Sequence, residues 1–234
     1  MPGGSWNRLT SLEGLRLGQG GREPAPRRPV DWQEVLAVWP FVSGQVWAMI
    51  LLQWLTGARS GEVVRLCGAE IERKGKAWTW RPRKHKGEIH GLPRLVAIGP
   101  LAQRAIKPWL KKNPEAPLFQ PGESEAARHA ALVAERKARG GVGNHKRIVR
   151  RPRRRPGAAY TVASYRRAIA RACEDAGVSR WTPHQLRHSC ATRVRRRFGL
   201  EAARAVLGHA AAGMTLEYAE LDLAKAAEAA AVMG

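Results

Sequence analysis

The stretch from Thr182 to Tyr218, TPHQLRHSCATRVRRRFGLEAARAVLGHAAAGMTLEY, gathers two histidines, an arginine and a tyrosine whose types and spacing could do chemistry: His184, Arg187, His209 and Tyr218. Thr182 followed by Pro183 and Gln185 predicts a helix start, because a Thr N-cap with Gln three residues later closes a capping box and proline suits the first turn. His184 and Arg187 then form an i, i+3 pair on one face. Two donors beside a helix N-terminus, where backbone N–H groups already favour an anion, make a phosphate-facing surface.

Other chemically loaded residues lie far upstream. In TGARSGEVVRL, Gly57 and Gly61 bracket Arg59 at a helix-to-helix turn, with Glu62 one helical turn on. Taken alone, Arg59 and Glu62 read as a surface ion pair. Lys84, His85, Lys86 and Gly87 fall in a turn between two predicted strands, where a basic tip can reach a phosphate or simply be solvated. The run GVGNHKRIVRRPRRRPG carries Lys146, Arg147, Arg150, Arg151, Arg153, Arg154 and Arg155 with almost no acidic charge, and predicts a mobile basic loop that gains order on a phosphate backbone.

The composition agrees with an anionic partner. The 234 residues hold 41 Lys+Arg against 19 Asp+Glu, a formal charge of +22. Neutralising phosphates and releasing counterions favours nucleic acid first, an anionic membrane surface second. Cys67, Cys173 and Cys190 are odd in number and widely spaced, which argues against a disulfide framework or a zinc site and for buried thiols in a reducing compartment. No segment approaches the roughly 20 apolar residues needed to span a bilayer, and a cytoplasmic protein is expected.

The elements that must position these residues follow from periodicity and punctuation. Residues 1–29 are rich in Gly, Pro and Arg and read as a disordered arm or linker remnant. Then come a short helix capped by Asp31, and a longer apolar one in SGQVWAMILLQWLTG whose Trp47, Ile50, Leu51 and Trp54 read as packing residues. AEIERKGKAWTWRPRKHKGEIHGLPRLVAIGP predicts three short strands, with Trp78 and Trp80 on one face and Leu95 and Ala97 opposite Val96 and Ile98. A helix follows Pro100 and runs to Asn113-Pro114; a polar helix covers ESEAARHAALVAERKARGG. AAYTVASYRRAIARACEDAGV makes an amphipathic helix closed by Gly177, with Tyr165, Ile169 and Cys173 inward. Beyond it His184 to Phe198 forms one helix, and LEAARAVLG a shorter one ended by Gly208. Thr215 caps another carrying Tyr218, and the Ala-rich end is helical.

Arg59 in TGARSGEV, Lys86 at a hairpin turn, His184 and Arg187 in HQLRHS, His209 in VLGHA and Tyr218 in TLEYAE resemble, in order and context, the signature of the tyrosine recombinase (phage integrase) family. The likeness spans roughly 30–230 and is most specific toward the C-terminus, where H-x-L-R-H, then L-G-H, precede a tyrosine nine residues beyond the last histidine. It implies an α+β, mostly α-helical catalytic domain over 30–234 with the DNA breaking-rejoining fold, a small three-stranded antiparallel sheet, and a basic insertion at about 122–158. It also implies strand cleavage and rejoining through a 3′-phosphotyrosyl bond.

By that resemblance Tyr218 is the nucleophile, Arg59 and Arg187 fork onto the non-bridging oxygens, and Lys86 protonates the departing 5′ oxygen. His184 acts as base or orienting group, His209 is a phosphate donor, and Glu62 braces the site. Such chemistry needs neither metal nor nucleotide cofactor. Lys84, two residues from Lys86, stays a rival for the acid and otherwise a DNA contact. His188 reads as a packed helix histidine, and Tyr160 and Tyr165, placed on the preceding helix, do not fit the nucleophile position.

The resemblance further implies double-stranded DNA as partner and a homotetramer on it, with the C-terminal helix, Leu221 to Val232, docking on a neighbour. The departure is at the front. Family members usually carry a helical DNA-binding domain ahead of the catalytic one, and fewer than about thirty residues precede the first helix here, too few for such a domain. The expectation is therefore a truncated catalytic domain, or one that grips DNA through its arm and basic loop. A non-catalytic DNA-binding remnant and a topoisomerase-like relaxing enzyme are the rival readings.

Overall fold

The computed structural model describes residues 28–84, 94–140, 156–208 and 226–233. Its organising element is the apolar helix α2 (Gly44–Thr56), which follows α1 (Trp32–Ala37) and a 3-10 turn at Trp39–Phe41. The Ser43 hydroxyl accepts the Val46 N–H at 3.3 Å to start α2, and Gly57, at φ 65°, ends it in the left-handed conformation that glycine adopts without a Cβ penalty. Met49, Ile50 and Leu52 are fully buried and Trp54 nearly so, whereas Trp47 and Leu51 are only half-buried. A short helix, α3 (Ser60–Val63), comes straight after the Gly57 turn.

The sheet is three-stranded and antiparallel, β1 (Ile71–Glu72), β2 (Trp78–Trp80) and β3 (Val96–Ile98), in sequential order. Trp80 pairs with Ile71 on one side and Val96 on the other. The alternation expected along β3 is absent from its burial: Val96, Ala97 and Ile98 are all buried, because α2 packs on the sheet and Ala97 is covered by Ala205 and Ala226. Trp80 is wholly buried while Trp78 is partly exposed.

After β3, α4 (Pro100–Ile106) gives way to a 3-10 turn at Lys107–Trp109 instead of continuing to Asn113-Pro114. Pro108 lacks an N–H and its ring meets the carbonyl four residues back, so the helix stops a turn early. The polar helix α5 (Pro121–Ala138) buries no residue. α6 (Val162–Asp175) puts Tyr165, Ile169 and Cys173 into the core and is closed by Gly177 at φ 66°. Tyr160 lies in the segment before α6, not on it, and donates from its hydroxyl to Ser124 Oγ at 2.9 Å.

Finally α7 (Pro183–Leu207) packs against α2. Gly199, at φ 86° and ψ 178°, interrupts it, so it is two helical halves, and Gly208 caps the second at φ 59°. The Ser189 hydroxyl on the first half accepts the Val30 N–H at 2.9 Å, fixing where the described chain enters the core. Residues 226–233 are helical and seated on their own chain: Ala226 and Ala229 are buried, and a Cβ built on Gly99 would lie 2.2 Å from the Ala230 carbonyl oxygen. None of the described helices is long and apolar enough to cross a membrane.

Candidate active site

Two loops meet where α2 ends and α7 begins. Arg59 is the N-cap of α3, and its N–H donates to Glu62 Oε2 at 2.8 Å while its Nη1 donates to Glu62 Oε1 at 3.0 Å. The carboxylate therefore closes the turn and pairs with the side chain that the turn projects. This is not the surface ion pair that the sequence alone suggests. The Glu62 side chain is 2% exposed against 31% for Arg59, because α3 turns Glu62 inward beside buried Val63.

A second cation reaches the same carboxylate. Arg94, at the entrance to β3, places Nε 3.4 Å from Glu62 Oε1, and its side chain is only 3% exposed. Burial pushes the Glu62 carboxyl up, but the charge of Arg94, the Arg59 N–H and the Arg59 guanidinium outweigh it and hold the group below the ordinary carboxylate range. Arg94 itself is pulled down, first by burial, with Glu62 acting the other way.

Arg187 enters from α7. The helix starts as expected at Thr182, whose N–H donates to Gln185 Oε1 at 2.9 Å, with Pro183 in the first turn. The pair His184 and Arg187 does not share an environment, however: His184 is exposed and Arg187 is buried. One turn of helix separates a residue at the rim from one facing α2. Arg187 Nη1 donates to the Gly57 carbonyl at 2.7 Å and Nη2 to the Leu207 carbonyl at 2.8 Å. Burial, then the charges of Arg94 and Arg59, lower it to about 10, which leaves it cationic at neutral pH. His184 meets His188 edge-on with ring centroids 4.7 Å apart.

The arrangement is thus three arginines around one buried carboxylate, an excess of positive charge in a setting of restricted water. Such a setting stabilises a dianionic phosphorane-like centre more strongly than solvated cations can. Lys84 is exposed in the bend after β2, beyond the end of the strand, and its carbonyl accepts from Arg65 Nη2 at 3.4 Å. Lys86, His209 and Tyr218 lie outside the described residues, as do Lys146, Arg147, Arg150, Arg151, Arg153, Arg154 and Arg155.

Tyr165 is excluded as a nucleophile by its surroundings. It is fully buried, donates to Gln53 Oε1 at 3.2 Å, and burial drives its ionisation well above the ordinary phenol value. The three cysteines are free and buried, and desolvation raises each thiol, Cys190 to about 11. Arg94 is the residue that sequence reasoning misses. Its signal is an arginine at the mouth of a wholly apolar strand, in LPRLVAIGP, a place where a cation persists only with a buried anion to meet it.

A model of the phage integrase family matches residues 43–225. No curated protein matches the chain. Among solved structures, the integrase from mycobacterium phage Brujita is similar over 98% of this chain and 67% of its own, with 14% identity and a TM-score of 0.58. The XerH site-specific recombinase bound to palindromic difH substrate, in a post-cleavage complex, is similar over 87% of this chain and 50% of its own, with 18% identity and a TM-score of 0.50. The chain thus spans half the length of the XerH chain, and at these identities the likeness speaks to the fold. With the family match covering most of the sequence and the helical fold with its small sheet in agreement, the chain belongs to the phage integrase family, the tyrosine recombinases.

Proposed function

We propose that the protein breaks and rejoins DNA strands at specific sites by transesterification through Tyr218. The tyrosine oxygen attacks a backbone phosphorus, the bond to the 5′ oxygen breaks, and a 3′-phosphotyrosyl bond holds the energy of the lost diester. Lys86, or Lys84 in its place, delivers the proton that the departing 5′ oxygen needs, and His184 receives or steers the proton of the tyrosine. Arg59 and Arg187 bear the charge that grows on the non-bridging oxygens, with His209 as a further donor and Glu62 holding Arg59 in place. Attack by a second 5′-hydroxyl reverses each bond change and reseals the strand, with no nucleotide consumed.

One observation supports this reading above the others. The bond from Arg187 to the Gly57 carbonyl joins the H-x-L-R-H helix to the turn that presents Arg59, so arginines 128 positions apart in the chain act on one space. The charge of +22 and the exposed Arg195, Arg196 and Arg197 on α7 support double-stranded DNA as the partner. A homotetramer on paired sites, with the C-terminal helix moving from its own chain to a neighbour, fits integration or excision of a mobile element in the cytoplasm.

The test is to incubate the full chain with nicked suicide duplexes randomised around the nick and look for an SDS-resistant, protease-sensitive DNA adduct. The reading predicts an adduct with wild type and none with Tyr218→Phe. DNA binding without adduct identifies a non-catalytic binder. Relaxation of supercoiled DNA without strand exchange identifies a topoisomerase-like enzyme.

A further inference from the structure

Arg94 belongs to none of the roles assigned so far, yet among the described residues it is the most deeply buried cation near the site. Its side chain is 3% exposed. Its Nη1 donates to the neighbouring Leu95 carbonyl at 3.3 Å, its Nε faces Glu62 at 3.4 Å, and its Nε and Nη2 are buried without a hydrogen bond. A guanidinium left so poorly bonded in a dry place is costly unless the charge it faces compensates for the lost water. The only acidic group beside it among the described residues is Glu62.

The other side of Arg94 is equally constrained. A Cβ built on Gly208 would lie 2.1 Å from Arg94 Nη1 and 3.1 Å from its Cζ, so the guanidinium occupies the space that any other residue at 208 would fill. Gly208 also needs φ 59°, which a residue with a Cβ adopts only at a cost. Arg94 therefore touches two things at once: the carboxylate that holds Arg59, and the turn from which the chain continues to His209.

We infer that Arg94 is a positioning residue, which pins Glu62 from the inner side so that Arg59 is held at the rim, and which sets the Gly208 turn where α7 ends. The inference rests on the transesterification reading above. Glu62 stands between an inner arginine that solvent hardly reaches and an outer one that is 31% exposed. The outer one can meet phosphate only if the inner one keeps the carboxylate ionised and still. Among the described residues, the charged groups facing Glu62 are Arg59 from its own turn, Arg94 from the entrance to β3 and Arg187 from α7.

The experiment is a double-mutant cycle of Arg94→Met and Glu62→Gln, with Arg94→Lys as the conservative variant, read in two ways on the full chain. In equilibrium urea unfolding, the double variant is expected to be more stable than Glu62→Gln alone, by tenfold or more in the unfolding constant, because it removes the orphaned cation along with its partner. In adduct formation on the randomised suicide duplexes at saturating DNA, Arg94→Met is expected to slow the reaction at least tenfold with less than a threefold change in DNA affinity. Its acidic limb should move to higher pH, Arg94→Lys should recover part of the rate, and in the Glu62→Gln background Arg94→Met should cost less than threefold. Additive losses in either reading, or an unmoved acidic limb, overturn the inference. Absence of adduct with wild type overturns the transesterification reading instead, and the unfolding cycle then decides alone whether Arg94 holds Glu62.

Discussion

Arg187 meets the Gly57 carbonyl at 2.7 Å across 130 positions of sequence, and in doing so one buried guanidinium ties the first half of α7 to the turn that ends α2. Its second bond runs from Nη2 to the Leu207 carbonyl at 2.8 Å and uses one of that nitrogen's two N–H groups. Arg187→Lys can keep at most one of these bonds in the same geometry. Each buried carbonyl left unmet costs about 1–3 kcal/mol. Urea unfolding should therefore show Arg187→Lys destabilised and Arg187→Ala more so, and adduct formation should fall on the order of 10²-fold or more in both.

Glu62→Gln should be a stability variant with a characteristic pH signature. The folded-state value of Glu62 is lowered, so its ionisation stabilises the fold above the unfolded value and that contribution disappears as pH falls through the folded one. At neutral pH the substitution strands Arg94 and should cost on the order of 3–5 kcal/mol. Below about pH 4, the unperturbed carboxylate range, the gap between wild type and variant should narrow as acid protonates Glu62. A gap that stays constant from about pH 7 to about pH 3 in denaturant titrations would show that Glu62 titrates alike in the folded and unfolded chain, so that the arginines around it do not favour its ionised form.

Two tyrosines should separate cleanly. Tyr165→Phe removes the donor to Gln53 Oε1, and Gln53 in turn donates to the Ala58 carbonyl just ahead of Arg59. The expected result is a loss of about 1–2 kcal/mol in thermal or urea unfolding with adduct formation retained. Tyr218→Phe should do the reverse, leaving the unfolding midpoint within error of wild type and removing the adduct.

Gly57→Ala tests the turn itself. The residue holds φ 65°, and an added Cβ would lie 2.9 Å from Leu207 Cδ2 and 3.2 Å from Cys190 Sγ. The left-handed conformation alone costs about 1–2 kcal/mol once a Cβ is present. Unfolding midpoints should drop accordingly, and the bond from Arg187 to the Gly57 carbonyl should suffer with them, so adduct yield should fall even at temperatures where the variant is folded.

The basic run from Lys146 to Arg155 should appear in the salt dependence of DNA binding. It carries seven cations. If they meet phosphates, deleting 146–155 should flatten the plot of log affinity against log salt by about 0.9 for each phosphate left unneutralised, measured by fluorescence anisotropy. An unchanged slope would mark the run as a bystander.

Much of the architecture is legible in the sequence because it rests on local rules. Ser43, Gly57, Gly177, Thr182 and Gly208 each mark a helix end that the residue types announce, and Tyr165, Ile169 and Cys173 fall on one apolar stripe. Sequence and structure part where a distant stretch of chain decides the outcome. Glu62 reads as a surface residue because its ion pair is local, whereas its burial depends on Arg94 and the strand behind it. His184 and Arg187 belong together by helical spacing, whereas α2 covers Arg187 and leaves His184 exposed. The early end of α4 is different, since Pro108 announces it locally and the later Asn113-Pro114 only looks like the stronger stop.

The break at Gly199 has a geometric consequence for the site. Leu207 is twenty residues beyond Arg187 in α7, and an unbroken helix rising about 1.5 Å per residue would carry it about 30 Å away. Instead its carbonyl lies 2.8 Å from the Arg187 guanidinium. The chain doubles back on itself at a single glycine, so the far end of the segment returns to the arginine near its beginning. A side chain at 199 that favours continuous helix would unbend this hairpin, and the arginine would lose a partner supplied by its own helix.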